Sequence, residues 1–216
     1  MRNRPRLVSQ QAIERNGWAG WFITGLLVCL FSILLTLASG RFGCDTEVIG
    51  MPVLPLVAGL AAAGAIFLAS LFWLLTGIEA QRVPSPKRLV VFIFAIGIAA
   101  RLVLMSSEPV LEDDYQRYLW DGAVAAEGLN PYLKSPEDIR TGVTDGPLQA
   151  LKDEAGPVFK RINHKDLTTI YPPLTQAAFA LAHVISPFSL TAWRGVLLFA
   201  DIATFALLLF ALDALG

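Results

Sequence analysis

Five long apolar runs divide this chain, and that pattern restricts it to a narrow choice of folds. The runs cover residues 18–40, 53–77, 89–105, 171–186 and 195–212. An α-helix needs about 20 apolar residues to cross a hydrocarbon core of ~30 Å. Inside lipid, every backbone amide must also be bonded within its own segment or a closed barrel. The expectation is an all-α polytopic transmembrane bundle of about five spans. Composition agrees, with 55% hydrophobic and only 16% charged residues, where soluble domains carry about 25% charged. The first run is too long for the apolar core of a signal peptide. Trp18 and Trp21 suit an interfacial aromatic belt. Ala and Gly in the second run favour close helix packing.

The domain organisation follows from the polar segments. Residues 1–17 form an N-terminal tail carrying Arg2, Arg4, Arg6 and Arg15, residues 18–105 hold three spans, 106–170 form a long loop, and 171–216 hold two further spans. Basic residues gather on the cytoplasmic side of membrane proteins. The tail, the linker 78–88 with Arg82, Lys87 and Arg88, and the linker 187–194 are therefore expected inside. The short loop 41–52 and the long loop are expected outside. The long loop has 12 acidic and seven basic residues, a net charge of −5 that suits the non-cytoplasmic face. A whole-chain net charge of −1 gives no reason to expect nucleic acid as a partner. Cys29 lies in an apolar run and Cys44 in the loop after it, so two unpaired thiols are expected. Two histidines, His164 and His183, do not make a zinc site, and no metal ligands are assigned. The apolar pattern runs to the last residues, which points to a chain that continues in a missing C-terminal half or pairs with a partner subunit.

The richest chemistry lies in residues 112–136, EDDYQRYLWDGAVAAEGLNPYLKSP. Between Glu112 and Glu127 the spacing is helical: Asp114, Arg117, Tyr118 and Asp121 share one face, with Tyr115, Leu119, Ala123 and Ala126 on an apolar neighbour. This predicts an amphipathic interfacial helix on the bilayer surface. Its charged face is either simply solvated, or it offers a carboxylate as a general base or cation ligand. Gly128 suits a left-handed helix stop, and Asn130-Pro131 starts a turn. A second short helix is expected over 146–155. Further on, NHKDLTTIYPP brings His164, Asp166, Thr168, Thr169 and Tyr171 up to the fourth span; His164 reads equally as a proton carrier or a surface residue. Arg101 can snorkel to the interface. Asp201, inside the fifth span, is a functional candidate by default, with pairing to Arg194 as the structural alternative. His183 reads as structural.

Three motifs in order, EDDYQRYLWDG, GLNPY and TIYPPLTQ, resemble bacterial membrane glycosyltransferases of the GT-C class, in particular the polyprenyl-phosphate-sugar-dependent, mannosyltransferase-like enzymes. The resemblance spans residues 89–180. It implies transfer of a hexose-type sugar from a polyprenyl-phosphate donor to a hydroxyl of a glycan or lipid acceptor, on the outer face of a bacterial inner membrane. It also implies an aspartate in the first large outer loop as catalytic base. Aligning the acid that precedes Arg-Tyr makes Asp114 the first choice, with Asp113 next. Arg117 would contact the donor phosphate or orient the carboxylate. Tyr118, Asp121, Tyr132, His164 and Tyr171 complete the expected substrate-binding set. No cofactor is required by this chemistry, and a divalent cation stays an open alternative. A different class of reading is a non-enzymatic membrane component, a transporter part or an assembly scaffold, in which Asp201 would matter more than Asp114.

Overall fold

The computed structural model describes residues 6–43, 51–79, 84–142 and 146–215, with side chains from residue 18 onward and not at 78 and 79. The arginines of the first 17 residues, Cys44 and Arg82, used above to read orientation and thiol state, lie outside the described side chains. Every regular element among the described residues is helical, as the all-α expectation required. The chain divides into two compact units, with the boundary between Val110 and Leu111.

The first unit holds α1 (Arg6–Ala38), a short 3-10 turn (Ser39–Arg41), α2 (Val53–Glu79) and α3 (Pro86–Leu104). α1 packs against both α2 and α3, and glycines on α1 set how close they come. A Cβ on Gly20 would sit 2.7 Å from the Trp73 ring of α2, and one on Gly25 would sit 3.0 Å from Phe92 of α3. The close approach expected of the Ala/Gly-rich second run thus depends on its partner helix; Gly64 of α2 faces open space. Trp18, Phe22 and Phe92 stack edge-on or tilted at 5.3–5.6 Å between ring centres. Helical hydroxyls stay satisfied, Ser32 and Thr36 each donating to the carbonyl four residues back. Ser39 Oγ accepts the Glu108 amide at 2.8 Å, which pins the exit from α3 to the end of α1. Cys29 is a free thiol on α1.

The second unit holds α4 (Tyr115–Ala126), α5 (Pro136–Thr141), α6 (Pro147–Ala155), α7 (Pro157–Arg161), α8 (Pro173–Ile185) and α9 (Leu190–Leu215). Its polar part is not a loose loop. Trp120, Ala123, Val124, Ile139, Leu151 and Phe159 form a core shared by α4 to α7, with Trp120 edge-on to Phe159 at 4.7 Å. Each short helix has a local cause. Proline opens α5, α6 and α7, where its fixed φ suits the first turn and its missing N–H is no loss. Ser135 and Asp138 close a reciprocal capping box on α5. Gly128, at φ +71°, ends α4 as expected: the Gly128 and Leu129 amides bond back to Ala125 and Val124, a Schellman stop.

Among the described residues, three helices are long and apolar enough to cross a membrane: residues Trp18–Arg41 within α1 and just beyond it, Val53–Gly77 of α2, and Leu190–Leu215 of α9. The other two expected spans fall short for different reasons. α3 has 19 residues but carries Lys87, Arg88 and Arg101. α8 has 13 residues, about 20 Å of helix against the ~30 Å required. The fifth run is longer than expected, because residues of the 187–194 linker already belong to α9.

Candidate functional site

The site is assembled on α4, and α4 does not lie on a surface. Eight of its 12 residues are buried, because α8 covers one side and α6 and α7 another. The interfacial amphipathic helix expected from spacing is corrected by Trp120 and Val124, which bury a second face that the periodicity left unassigned. Contact with α8 is closest at Gly122, where an added Cβ would meet the Phe179 carbonyl oxygen at 2.5 Å. Only glycine permits that approach. A glycine inside a helix is itself a weak sequence signal of this kind.

The acidic motif ends where α4 begins. Asp114 stands at the helix N-cap but makes no capping bond, although an aspartate there commonly stabilises a helix by about 1 kcal/mol. Its carboxylate is engaged elsewhere. Asn163 Nδ2 donates to Asp114 Oδ1 and to Asp113 Oδ1, both at 2.8 Å. All three side chains are only half-buried. The link is flanked by two non-glycine residues in the left-handed region, Leu111 at φ +55° and His164 at φ +44°. Such conformations cost about 1–2 kcal/mol each and gather at functional sites. Glu112 joins the set: its side chain is exposed, but partial desolvation by its neighbours, then the charges of Asp114 and Asp113, push its carboxyl above the usual range.

Beneath this pair runs a buried polar network. Arg117 Nε donates to Asp121 Oδ1 at 2.9 Å, and its Nη2 donates to the Leu167 carbonyl at 2.8 Å. Gln176 Nε2 reaches Thr169 Oγ1 at 2.8 Å and Asp121 Oδ2 at 3.4 Å. Arg117 is 7% and Asp121 2% exposed, so neither presents a surface to a ligand, contrary to the substrate-contact roles expected of them. They fasten the segment 163–171 to α4. Burial raises the Asp121 carboxyl even though the Arg117 charge and several hydrogen bonds pull it down. The Oε1 atoms of Gln116 and Gln176 are buried and accept no hydrogen bond among the described residues.

An aromatic group borders the network. Tyr118 stacks on Phe179 at 4.9 Å and meets Tyr171 edge-on at 5.3 Å; Trp193 closes on Phe179 at 4.9 Å. Burial first, then contact with the Tyr171 hydroxyl and the Glu112 charge, raises the Tyr118 phenol far above its ordinary value. Tyr132 donates its hydroxyl to the Tyr171 carbonyl at 2.6 Å.

The three sequence motifs therefore meet in space. Asp113, Asp114 and Tyr118 come from the first, Tyr132 from the second, and Tyr171 and Gln176 from the third. His164 is exposed, and its carbonyl accepts the Leu167 amide. Thr169 was named only as part of the segment leading to the fourth span, and Asn163, Gln176 and Glu112 were given no role by sequence. Gln176 had one signal, a polar side chain early in an apolar run; Asn163 had none, since asparagine in a turn is ordinary. Among the described residues, no group of three or more His, Cys, Asp or Glu is placed to hold a metal ion. Comparison with known protein families, characterised proteins and solved structures gives no match.

Proposed function

We propose that this chain is the acceptor-activating part of a membrane glycosyltransferase that takes a hexose-type sugar from a polyprenyl-phosphate donor. The observation that carries the reading is the half-open carboxylate pair Asp113-Asp114, held by one asparagine amide at the start of a buried helix. A base needs an accessible lone pair and a fixed direction, and Asn163 supplies the direction without covering the carboxylates. Asp114 takes the proton of the acceptor hydroxyl. The acceptor oxygen bonds to the anomeric carbon as the anomeric carbon–phosphate oxygen bond breaks, and the electron pair leaves with the polyprenyl phosphate. One displacement of this kind inverts the anomeric centre. The partly exposed rings of Tyr118, Tyr171 and Trp193 border the carboxylates' side of α4 as an aromatic wall for the sugar, while Arg117 acts as a positioning residue through Asp121 and Leu167.

In this reading α1, α2 and α9 cross the bacterial inner membrane, and α3 and α8 complete five passes. α3 would do so with Lys87 and Arg88 at one interface and Arg101 snorkelling to the other. The carboxylate pair then faces the non-cytoplasmic side, where a lipid-anchored donor and a glycan or lipid acceptor can both reach it. The reading is tested with membranes that do or do not contain the protein, supplied with a radiolabelled polyprenyl-phosphate hexose. Protein-dependent conversion of the label to a new glycan or glycolipid is expected; label that stays on the polyprenyl carrier in both membranes contradicts it.

A further inference from the structure

Four of the seven basic residues in the 106–170 segment line one cavity of about 440 Å³ between α5, α6, α7 and the strand of chain that follows them. They are Arg140, Lys152, Lys160 and Lys165, with Asp153 as the acid among the lining residues and the buried Phe159 ring as the floor. The segment is otherwise strongly acidic, so the clustering is not a reflection of local composition.

Two of the ammonium groups, those of Lys152 and Lys165, are anchored. Lys165 Nζ donates to the Lys160 carbonyl at 2.8 Å. Lys152 Nζ donates to Gln149 Oε1 at 3.3 Å and lies 5.9 Å from the centre of the Phe159 ring. Arg140 is held by Glu137, with Nε 2.7 Å from Oε2, which offsets its charge. Three lysines then stand against Asp153, which itself accepts from Gln149 Nε2 at 3.0 Å. Held together, like charges repel, and they also concentrate a positive potential that focuses on anions. The volume falls in the range of small-ligand pockets.

We propose that this cavity binds a phosphate-type dianion, a phosphomonoester or diphosphate group. A carboxylate would offset one of the three ammonium charges, whereas a phosphomonoester or diphosphate carries two or more and accepts from several donors at once. The group is carried either by a lipid headgroup or by a soluble molecule. The proposal does not depend on glycosyl transfer, because none of its residues belongs to the carboxylate site.

The full chain in phosphatidylcholine nanodiscs is titrated with inorganic pyrophosphate by calorimetry. In parallel, protein released from nanodiscs containing phosphatidic acid is analysed by native mass spectrometry for retained anionic lipid. Saturable pyrophosphate binding assigns a soluble source, and selective retention of phosphatidic acid assigns a lipid one. In either arm Lys152→Gln or Lys165→Gln weakens binding by about tenfold, and Asp153→Asn tightens it. Arg161→Gln, an exposed basic neighbour outside the lining, leaves it unchanged. Asp153→Asn keeps the test decisive should a lysine variant fold poorly. The proposal is overturned by binding in neither arm, or by binding that the lysine and Asp153 variants do not alter.

Discussion

The amide of Asn163 donates to Asp114 Oδ1 at 2.8 Å while its second hydrogen serves Asp113 Oδ1 at the same distance. One neutral side chain, 49 residues from Asp114 in sequence, thus fixes both carboxylates of the acidic motif. If Asp114 is the base, Asn163→Ala lowers kcat by about 10²-fold, the scale of a misdirected reacting group, with little change in KM. Asn163→Asp, which keeps the size but loses the donated N–H pair, lowers kcat by a similar factor. A purely structural asparagine would lower the amount of folded protein and leave kcat per folded molecule in place.

Glu112 gives a stability prediction of definite sign. Its carboxyl is raised in the folded chain by partial desolvation and by Asp114 and Asp113. The folded state then holds a proton that the unfolded state has released, over the window between the ordinary glutamate range and the raised value. Stability from this group is present below that window and is lost as pH rises through it. Glu112→Gln should therefore stabilise the protein at neutral pH and flatten the decline in melting temperature as pH rises above the ordinary glutamate range. Parallel wild-type and variant curves over that range would contradict the assignment.

The buried ion pair of Arg117 and Asp121 makes an asymmetric prediction. Arg117→Ala leaves a buried carboxylate without its charge partner and costs about 3–5 kcal/mol. Arg117→Ala/Asp121→Ala together cost less than Arg117→Ala alone, because no uncompensated charge remains. Denaturation of Arg117→Ala, Asp121→Ala and the double variant in detergent gives the coupling directly. Equal, additive losses would mean that the two residues do not act on one another.

Gly122 tests the packing of α4 on α8. A methyl group there must displace the Phe179 backbone, whose carbonyl oxygen lies 2.5 Å from the Cβ position. Gly122→Ala is expected to destabilise by about 1–3 kcal/mol, despite the better helix propensity of alanine. A neutral or stabilising effect in thermal unfolding would show that the helices are further apart.

The legible part of this fold was the part governed by a single repeated signal. Apolar length identified α1, α2 and α9, helical spacing located α4, and Gly128 marked its end. The helix α5 was missed although Ser135 and Asp138 stood at capping-box spacing, since six residues give no periodicity. Trp120 and Val124 show why the placement of α4 was misread: a helix enclosed on two sides does not present one apolar stripe. The carboxylates of the candidate site were legible because acids beside an apolar run are conspicuous. Their partner Asn163 was not, because only the folding of a distant loop brings it there. Arg117 and Asp121 looked like ligand contacts for the same reason; charge is visible in sequence, and burial by α8 and Leu167 is not.

The proposed chemistry has Asp114 remove a proton from the acceptor hydroxyl. Its most direct test is the initial rate of sugar transfer from a polyprenyl-phosphate donor by Asp114→Asn, measured in membranes at matched protein level and matched helicity. The isosteric amide keeps the shape and cannot take the proton. The rate is expected to fall by about 10²–10⁴-fold, the usual contribution of a general base, with a smaller loss for Asp113→Asn. Wild-type transfer by Asp114→Asn would contradict the account.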